Sequence, residues 1–252
     1  MVSDRDVSGA TWVAGVDGCR AGWLVVLLPL APRVMPHVRL AGRFEEVLSL
    51  AEAPCRIAVD IPIGLPVVGE RGGRACDREA RSQLGARQSS VFAVPSRAAV
   101  MEGDYARASA VALATSDPPR KVSKQCFNLF AKIREVDALL TPERQGWIVE
   151  CHPEAAFWSM AGGTPLSEPK KVTSRPYEPG LALRRGLLRA VGIETSEMVG
   201  LADLPIGGVG PDDILDAAAC AWTARRLLAG VAQCFPVRPP IDARGLRMEI
   251  WA

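Results

Sequence analysis

The sequence is poor in the residues that build soft-metal and disulfide sites. It holds two histidines and seven cysteines, at 19, 55, 76, 126, 151, 220 and 234, and no Cys-x-x-Cys pair. An odd cysteine count with these spacings excludes a complete disulfide framework and a zinc ribbon, so the thiols read as free in a reducing compartment. Charge of one sign is also lacking. The 30 basic residues are offset by 28 acidic ones, leaving a formal net charge of +2, so no global field draws the chain to a polyanion. Lysine is scarce, at five positions, and the other basic residues are arginine. Arginine suits phosphate through its fork of donors, but GC-rich codon usage produces the same bias. There is no long hydrophobic run: the longest, residues 23–32, is too short to span a bilayer. The N-terminal stretch, 1–12, has no apolar signal core. The expectation is a soluble, cytoplasmic protein with no membrane partner.

What is present is enough apolar residue, 48%, for a substantial core. A chain of 252 residues suits one α/β domain over 1–252 with an insertion. Strands are expected at 12–16, 23–28, 34–40, 57–59 and 147–149, the third on a sheet edge because Pro36 lies inside it. Helices are expected at 44–50, 77–84, 104–114, 122–140, 154–160, 181–191 and 212–229. The last starts after Pro211 and stops before Gly230. A late edge strand is expected at 248–251. Residues 70–145 form a helical insertion between the fourth and fifth strands.

Three apolar strands run into an acid: Asp17, Asp60 and Glu150. In parallel α/β sheets functional groups gather beyond the carboxyl ends of strands, and carboxylates placed side by side there repel unless cations lie among them. Any one aspartate after a strand can also be a simple turn former. The late helix adds Asp213 and Asp216, spaced i, i+3 on one face, in line with Ala217 and Cys220. Small residues on that face let the helix lie close to the sheet and aim the acids at its end. Asp212, at the helix start, reads mainly as a cap that complements the dipole.

These residues carry a resemblance. The order of strand acid, meander, second strand acid and late Asp-x-x-Asp helix resembles RNase H-like nucleases, and Asp213-Ile214-Leu215-Asp216-Ala217 is similar to the last helix of RuvC-type Holliday-junction resolvases. More closely, the chain resembles the family called domain of unknown function 429, described as predicted RNase H-like nucleases. The shared stretches are Gly15-Val16-Asp17-Gly18-Cys19-Arg20, Ala58-Val59-Asp60-Ile61-Pro62-Ile63-Gly64, Arg74-Ala75-Cys76-Asp77-Arg78-Glu79-Ala80, Ser89-Ser90-Val91-Phe92, Glu150-Cys151-His152-Pro153-Glu154 and Asp212-Asp213. The resemblance implies an α/β, RNase H-like mixed sheet of order 3-2-1-4-5 with helices on both faces. It implies a hydrolase, a metal-dependent nuclease in which Asp17 bridges two Mg²⁺ or Mn²⁺ ions, Asp60 holds one, and Asp213 with Asp216 holds the other. Glu150 joins them as a catalytic acid. Hard cations favour such oxygen ligands, and two of them can activate water and neutralise the leaving oxygen.

Nucleic acid, DNA or RNA, is the expected partner. Arg20, Arg74, Arg78, Arg87 and Lys171 are the candidate substrate contacts. Two basic regions could supply the grip: six arginines in residues 71–97, and Lys170, Lys171, Arg184, Arg185 and Arg189. A solvated helix face is the competing explanation for both, and no aromatic stacking motif accompanies them. Cys151-His152 could ligate a soft metal, and Gly207-Gly208-Val209-Gly210 could cradle phosphate but lacks the Gly-Lys-Ser/Thr of a P-loop. Alternative activities are an actin- or sugar-kinase-like phosphotransferase and a non-catalytic nucleic-acid-binding protein. Oligomeric state stays open, a homodimer included.

Overall fold

A computed structural model describes residues 12–32 and 34–252; the stretch read for a signal core falls, but for Trp12, outside the described residues. Strands β1 (Trp12–Cys19) and β2 (Gly22–Pro29) form an antiparallel hairpin, and β3 (His37–Ala41) adds antiparallel to β2. After the short helix α1 (Phe44–Leu48), β4 (Ile57–Val59) returns parallel to β1, and β5 (Ile148–Glu150) pairs parallel to β4. The sheet is mixed, five-stranded, and ordered β3-β2-β1-β4-β5. Pro36 does sit at the edge: its carbonyl accepts from Val199 N, whose own carbonyl accepts from Val38 N, so that short segment covers the outer strand.

Period-two alternation divides the strands between two cores. Ala14, Val16, Trp23, Val25, Leu27, Ile57, Val59 and Ile148 face one way, under the helices inserted between β4 and β5. Those are α3 (Arg97–Val100), α4 (Tyr105–Ala114), α5 (Lys124–Asn128) and α6 (Phe130–Leu139); the first helix of the insertion, α2 (Ala75–Gln83), buries Cys76 and Ala80 against Ile250 instead. The helix expected over 122–140 is therefore two, meeting at Leu129, with the Ser123 hydroxyl capping the first by accepting from Cys126 N. Val13, Leu24, Val26, Leu28, Ala58 and Val149 face the other way, under α7 (Pro153–Met160), α8 (Glu178–Ala190) and α9 (Pro211–Leu228). The late strand, Ile250–Trp251, pairs with Cys234–Phe235, and Trp251 bridges Cys151 beyond the end of β5. Among the described residues no helix is long and apolar enough to cross a membrane.

Two departures from the expected strands matter for the site. First, β1 runs on to Cys19, because its pairing with β2 continues to Cys19 opposite Gly22 and leaves only Arg20 and Ala21 to turn. Asp17 is thus inside a paired strand, opposite Leu24. Second, the parallel register sets Val16, Val59 and Glu150 side by side. Asp17 and Asp60 are each one residue beyond that row; Glu150 is in it. Successive side chains alternate faces, so Asp17 and Asp60 point toward α9 while Glu150 points to the opposite face, and Cys151 takes the third place beside the aspartates.

Helix α9 lies directly on β1. A Cβ on Gly15 would stand 2.0 Å from both Ala217 O and Ala221 N, and Ala217, Ala218, Ala219, Cys220 and Ala221 are fully buried. Only glycine on the strand and small residues on the helix permit that approach. Gly15→Ala should cost about 3 kcal/mol or more through overpacking against backbone that cannot give way, read as a lowered midpoint in urea. An unchanged midpoint would show that α9 can ride outward without loss.

Candidate active site

Asp17 and Asp60 form the centre of the site. The Asp60 amide donates to Val16 O at 2.8 Å, extending the β4 pairing by one residue and fixing the two aspartates as neighbours. Neither carboxylate has an ion-pair or hydrogen-bond partner among the described residues. Asp17 is 7% exposed, and burial, followed by the charges of Asp60 and Asp216, raises its pKa well above the usual carboxylate range. Burial raises Asp60 as well, and Glu154 adds to it, against His152 and Lys170.

Asp216 reaches the same place from α9. It is 2% exposed; one oxygen is ion-paired with Lys170 and the other, Oδ1, is buried without a partner. Burial pushes it up to about 7 although Lys170 opposes the rise. Burial would lower the Lys170 ammonium, but Asp216, Asp17 and Asp60 outweigh that and raise its pKa. Lys170 is therefore the cation among these carboxylates. Its loop is pinned by the Tyr177 amide donating to Lys170 O at 2.9 Å and by Gly180, where a Cβ would stand 1.8 Å from Pro169 O.

The helix face differs from the Asp-x-x-Asp reading by one residue. The buried pair is Asp212 and Asp216, at i, i+4, and each takes one of two consecutive lysines: Lys171 Nζ lies 2.6 Å from Asp212, and Lys170 pairs with Asp216. Asp213 is the cap, accepting from Gly210 N at 2.7 Å through Oδ2. The roles expected for Asp212 and Asp213 are exchanged, because a side chain at the third helical position reaches back to the entering backbone more readily than one at the second.

Glu150 is engaged elsewhere. Arg74 grips it with two donors, at 2.6 and 2.8 Å, while bonding Asp77 and the carbonyls of Ile63 and Gly64; Ile63 N donates to Glu150 Oε2 at 2.7 Å. This buried knot ties the start of α2 to the end of β5. Arg74, expected to touch substrate, is thus a structural clamp. Arg74→Met should cost about 3–5 kcal/mol by stranding Asp77 and Glu150, measured by denaturant unfolding; a loss below about 1 kcal/mol would mean the knot carries little of the fold.

A cavity of about 680 Å³ opens over the aspartates. Asp17, Asp60, Lys170 and Glu154 line it, together with Arg87, Ser90, Phe92 and Lys132 from the insertion. Of the expected substrate contacts, Arg87, Lys171 and the clamped Arg74 line it; Arg20 is exposed in the β1–β2 turn, and Arg78 is paired with Glu70 at 2.8 Å. Two residues were missed as members of the site. Glu154, 3% exposed, holds Arg184 with Oε1 and leaves Oε2 buried without a partner. His152 lies 3.2 Å through Nε2 from Ser90 O; a carbonyl only accepts, so Nε2 donates, and Nδ1 is buried without a partner among the described residues. His152 lines the cavity while Cys151 packs beneath it in the α9-side core, so the two do not act as one ligand pair.

Among the described residues no three side chains of His, Cys, Asp or Glu converge closely enough to enclose a metal ion. The expected second set, Asp213 with Asp216, is taken up by the helix cap and by Lys170.

The raised Asp216 pKa sets a pH signature. Its folded value, about 7, exceeds its unfolded one, so the folded state holds the extra proton in between. Its contribution to stability is present below the unfolded value and is lost as pH rises through the folded one. Subtracting the unfolding free energy of Asp216→Asn from that of the native chain should give a difference that falls between roughly pH 4 and pH 7, by at most about 1.4 kcal/mol per unit, and is flat above. A difference that rises with pH would mean Asp216 is ionised throughout.

No curated protein and no solved structure matches the chain. Residues 15–241 match the model of a family described as protein of unknown function (DUF429), and the chain belongs to that family.

Proposed function

We propose that this member of the family is a metal-dependent phosphodiesterase of the nuclease type, holding one divalent cation, Mg²⁺ or Mn²⁺, at Asp17 and Asp60, with Lys170 in the place of a second. One observation carries the reading: two carboxylates from neighbouring strands face one cavity and have no ion-pair or hydrogen-bond partner among the described residues. Buried like charges without counter-ions destabilise a fold, so their retention calls for a ligand that compensates them. Oxygen donors suit a hard cation, and Mg²⁺ is commonly held by one or two carboxylates together with substrate oxygens and water. The strand order, shared with the RNase H-like arrangement, supports the same reading at the level of fold. A phosphotransferase of the actin type would set its phosphates between two core domains; the described residues build one five-stranded sheet, and the other sheets are two-stranded.

A divalent cation bound there supplies Lewis acidity toward a phosphoryl oxygen and eases the ionisation of water. The protein does the rest. Lys170 holds a positive charge beside the phosphoryl oxygens, where negative charge grows. His152, which lines the same cavity, is the candidate acceptor of the water proton. In the reaction water oxygen bonds to phosphorus, one P–O ester bond breaks with its electron pair leaving on oxygen, and that oxygen is protonated to the alcohol. Glu150 has no part in these steps.

Calorimetry with Mn²⁺ tests the site. The native chain should bind one ion and Asp17→Asn none, with its circular dichroism unchanged. Lys170→Met, which frees Asp216, should admit a second ion. Equal binding by the native chain and Asp17→Asn would show the site to be misplaced, and two ions in the native chain would remove Lys170 from the role given to it.

A further inference from the structure

We infer that the substrate is a small phosphodiester, of dinucleotide or cyclic-nucleotide size, taken whole into the cavity that Asp17, Asp60, Arg87 and Lys132 line together, and that duplex nucleic acid is not a substrate. This rests on the phosphodiesterase reading and names the substrate class of the same site.

The first argument is the pairing of charges. Around the cavity Arg74 is tied to Asp77 and Glu150, Arg184 to Glu154, Lys170 to Asp216 and Lys171 to Asp212. Among the described residues lining the cavity, the aspartates Asp17 and Asp60 and the cations Arg87 and Lys132 have no ion-pair partner. Arg87 Nε is buried and has no hydrogen-bond partner. Lys132 donates to Gly22 O at 2.6 Å and lies over the Trp23 ring, with the charges of Glu135 and Asp17 near but not in contact. An unsatisfied guanidinium donor and an ammonium with no direct ion pair at a cavity are the complement of a phosphate, just as the two aspartates, with the orphaned Oε2 of Glu154 nearby, are the complement of a cation.

The second argument concerns what surrounds the cavity. Duplex binding needs a basic stripe exposed along a face. Most of the cations in both regions are instead paired within the protein, leaving Arg87 as the one that faces the cavity without an ion pair among the described residues. In residues 71–97, Arg78 pairs with Glu70, Arg81 donates to Gly72 O and Val91 O, and Arg97 joins Asp137 and Asp242. In the second region Arg185 pairs with Glu178 and Arg189 with Glu194, beside the pairs already named. With a net charge of +2, little field remains to hold a polymer.

The third is size. About 680 Å³ falls within the roughly 300–1,000 Å³ of small-ligand sites, and the insertion roofs the aspartates, so a phosphate in the middle of a duplex would have to leave its helix to reach them.

The test uses the full chain with Mn²⁺ and two readouts. Hydrolysis is followed on thymidylyl-thymidine, cyclic AMP and bis(p-nitrophenyl) phosphate, and on single-stranded, duplex and branched DNA. At least one small ester should be turned over with a kcat/KM about tenfold or more above any polymer. Arg87→Ala should lower that value about tenfold, through KM, while Mn²⁺ affinity is kept. A polymer cleaved as well as the small esters overturns the inference. If nothing is hydrolysed, binding decides. Thymidine 5′-monophosphate bound in an Arg87-dependent way, with no binding of a labelled duplex at low salt, upholds the small-phosphate site and removes the hydrolase reading. Failure to bind the monophosphate, or tighter binding of the duplex, overturns it.

Discussion

The backbone-to-backbone contact between Gly15 on β1 and Ala217 and Ala221 on α9 sets the level of everything above it. Because no side chain separates helix from strand at that point, Asp216, one residue before Ala217, arrives beside Asp17, two residues beyond Gly15. The register of β4 then brings Asp60 alongside, through its amide bond to Val16 O. The site is in effect the upper end of one tightly packed helix–sheet layer, and its geometry is inherited from the core beneath it rather than built by loops.

That inheritance has an electrostatic cost. Asp17, Asp60, Asp212 and Asp216 crowd one end of the layer, and burial raises the pKa of the first two and of Asp216. Two consecutive lysines on one pinned loop answer the two helix acids, each with a direct ion pair. They leave the two strand acids facing the cavity. A protein that needed only to fold would do better with apolar residues at these positions; the excess of negative charge is what makes the cavity a site.

Arginine serves the architecture more than the surface. Arg74 and Arg184 are buried and hold three carboxylates between them, and removing either would strand a buried charge. Exposed pairs such as Arg78 with Glu70 fasten neighbouring segments but contribute little to stability in water. The clamp at Arg74 also sets where the insertion meets the sheet, and hence where the wall bearing Arg87 and Ser90 stands across from the aspartates.

The elements themselves were legible in the sequence. Five strands, the edge position marked by Pro36, and helices opened by Pro211 and closed before Gly230 all follow from period, propensity and capping, which are local. So was the gathering of Asp17, Asp60 and Asp216 at one end of the layer, since an acid at the end of an apolar run or on a small-residue helix face must go somewhere costly. What could not be read was register and partnership. Whether Glu150 joins the aspartates depends on a one-residue offset between strands separated by 88 residues of chain, and parity sends it to the opposite face. Whether Asp212 is left free or ion-paired depends on Lys171, on a loop far away in sequence. Whether an arginine is free for a ligand depends on acids far away in sequence: Arg97 and Asp242, Arg74 and Glu150. Local pattern determines which residues are buried and in which element; only the tertiary structure, by choosing register and pairing charges across long separations, decides which charged groups are satisfied by the protein and which are left for something else to bind.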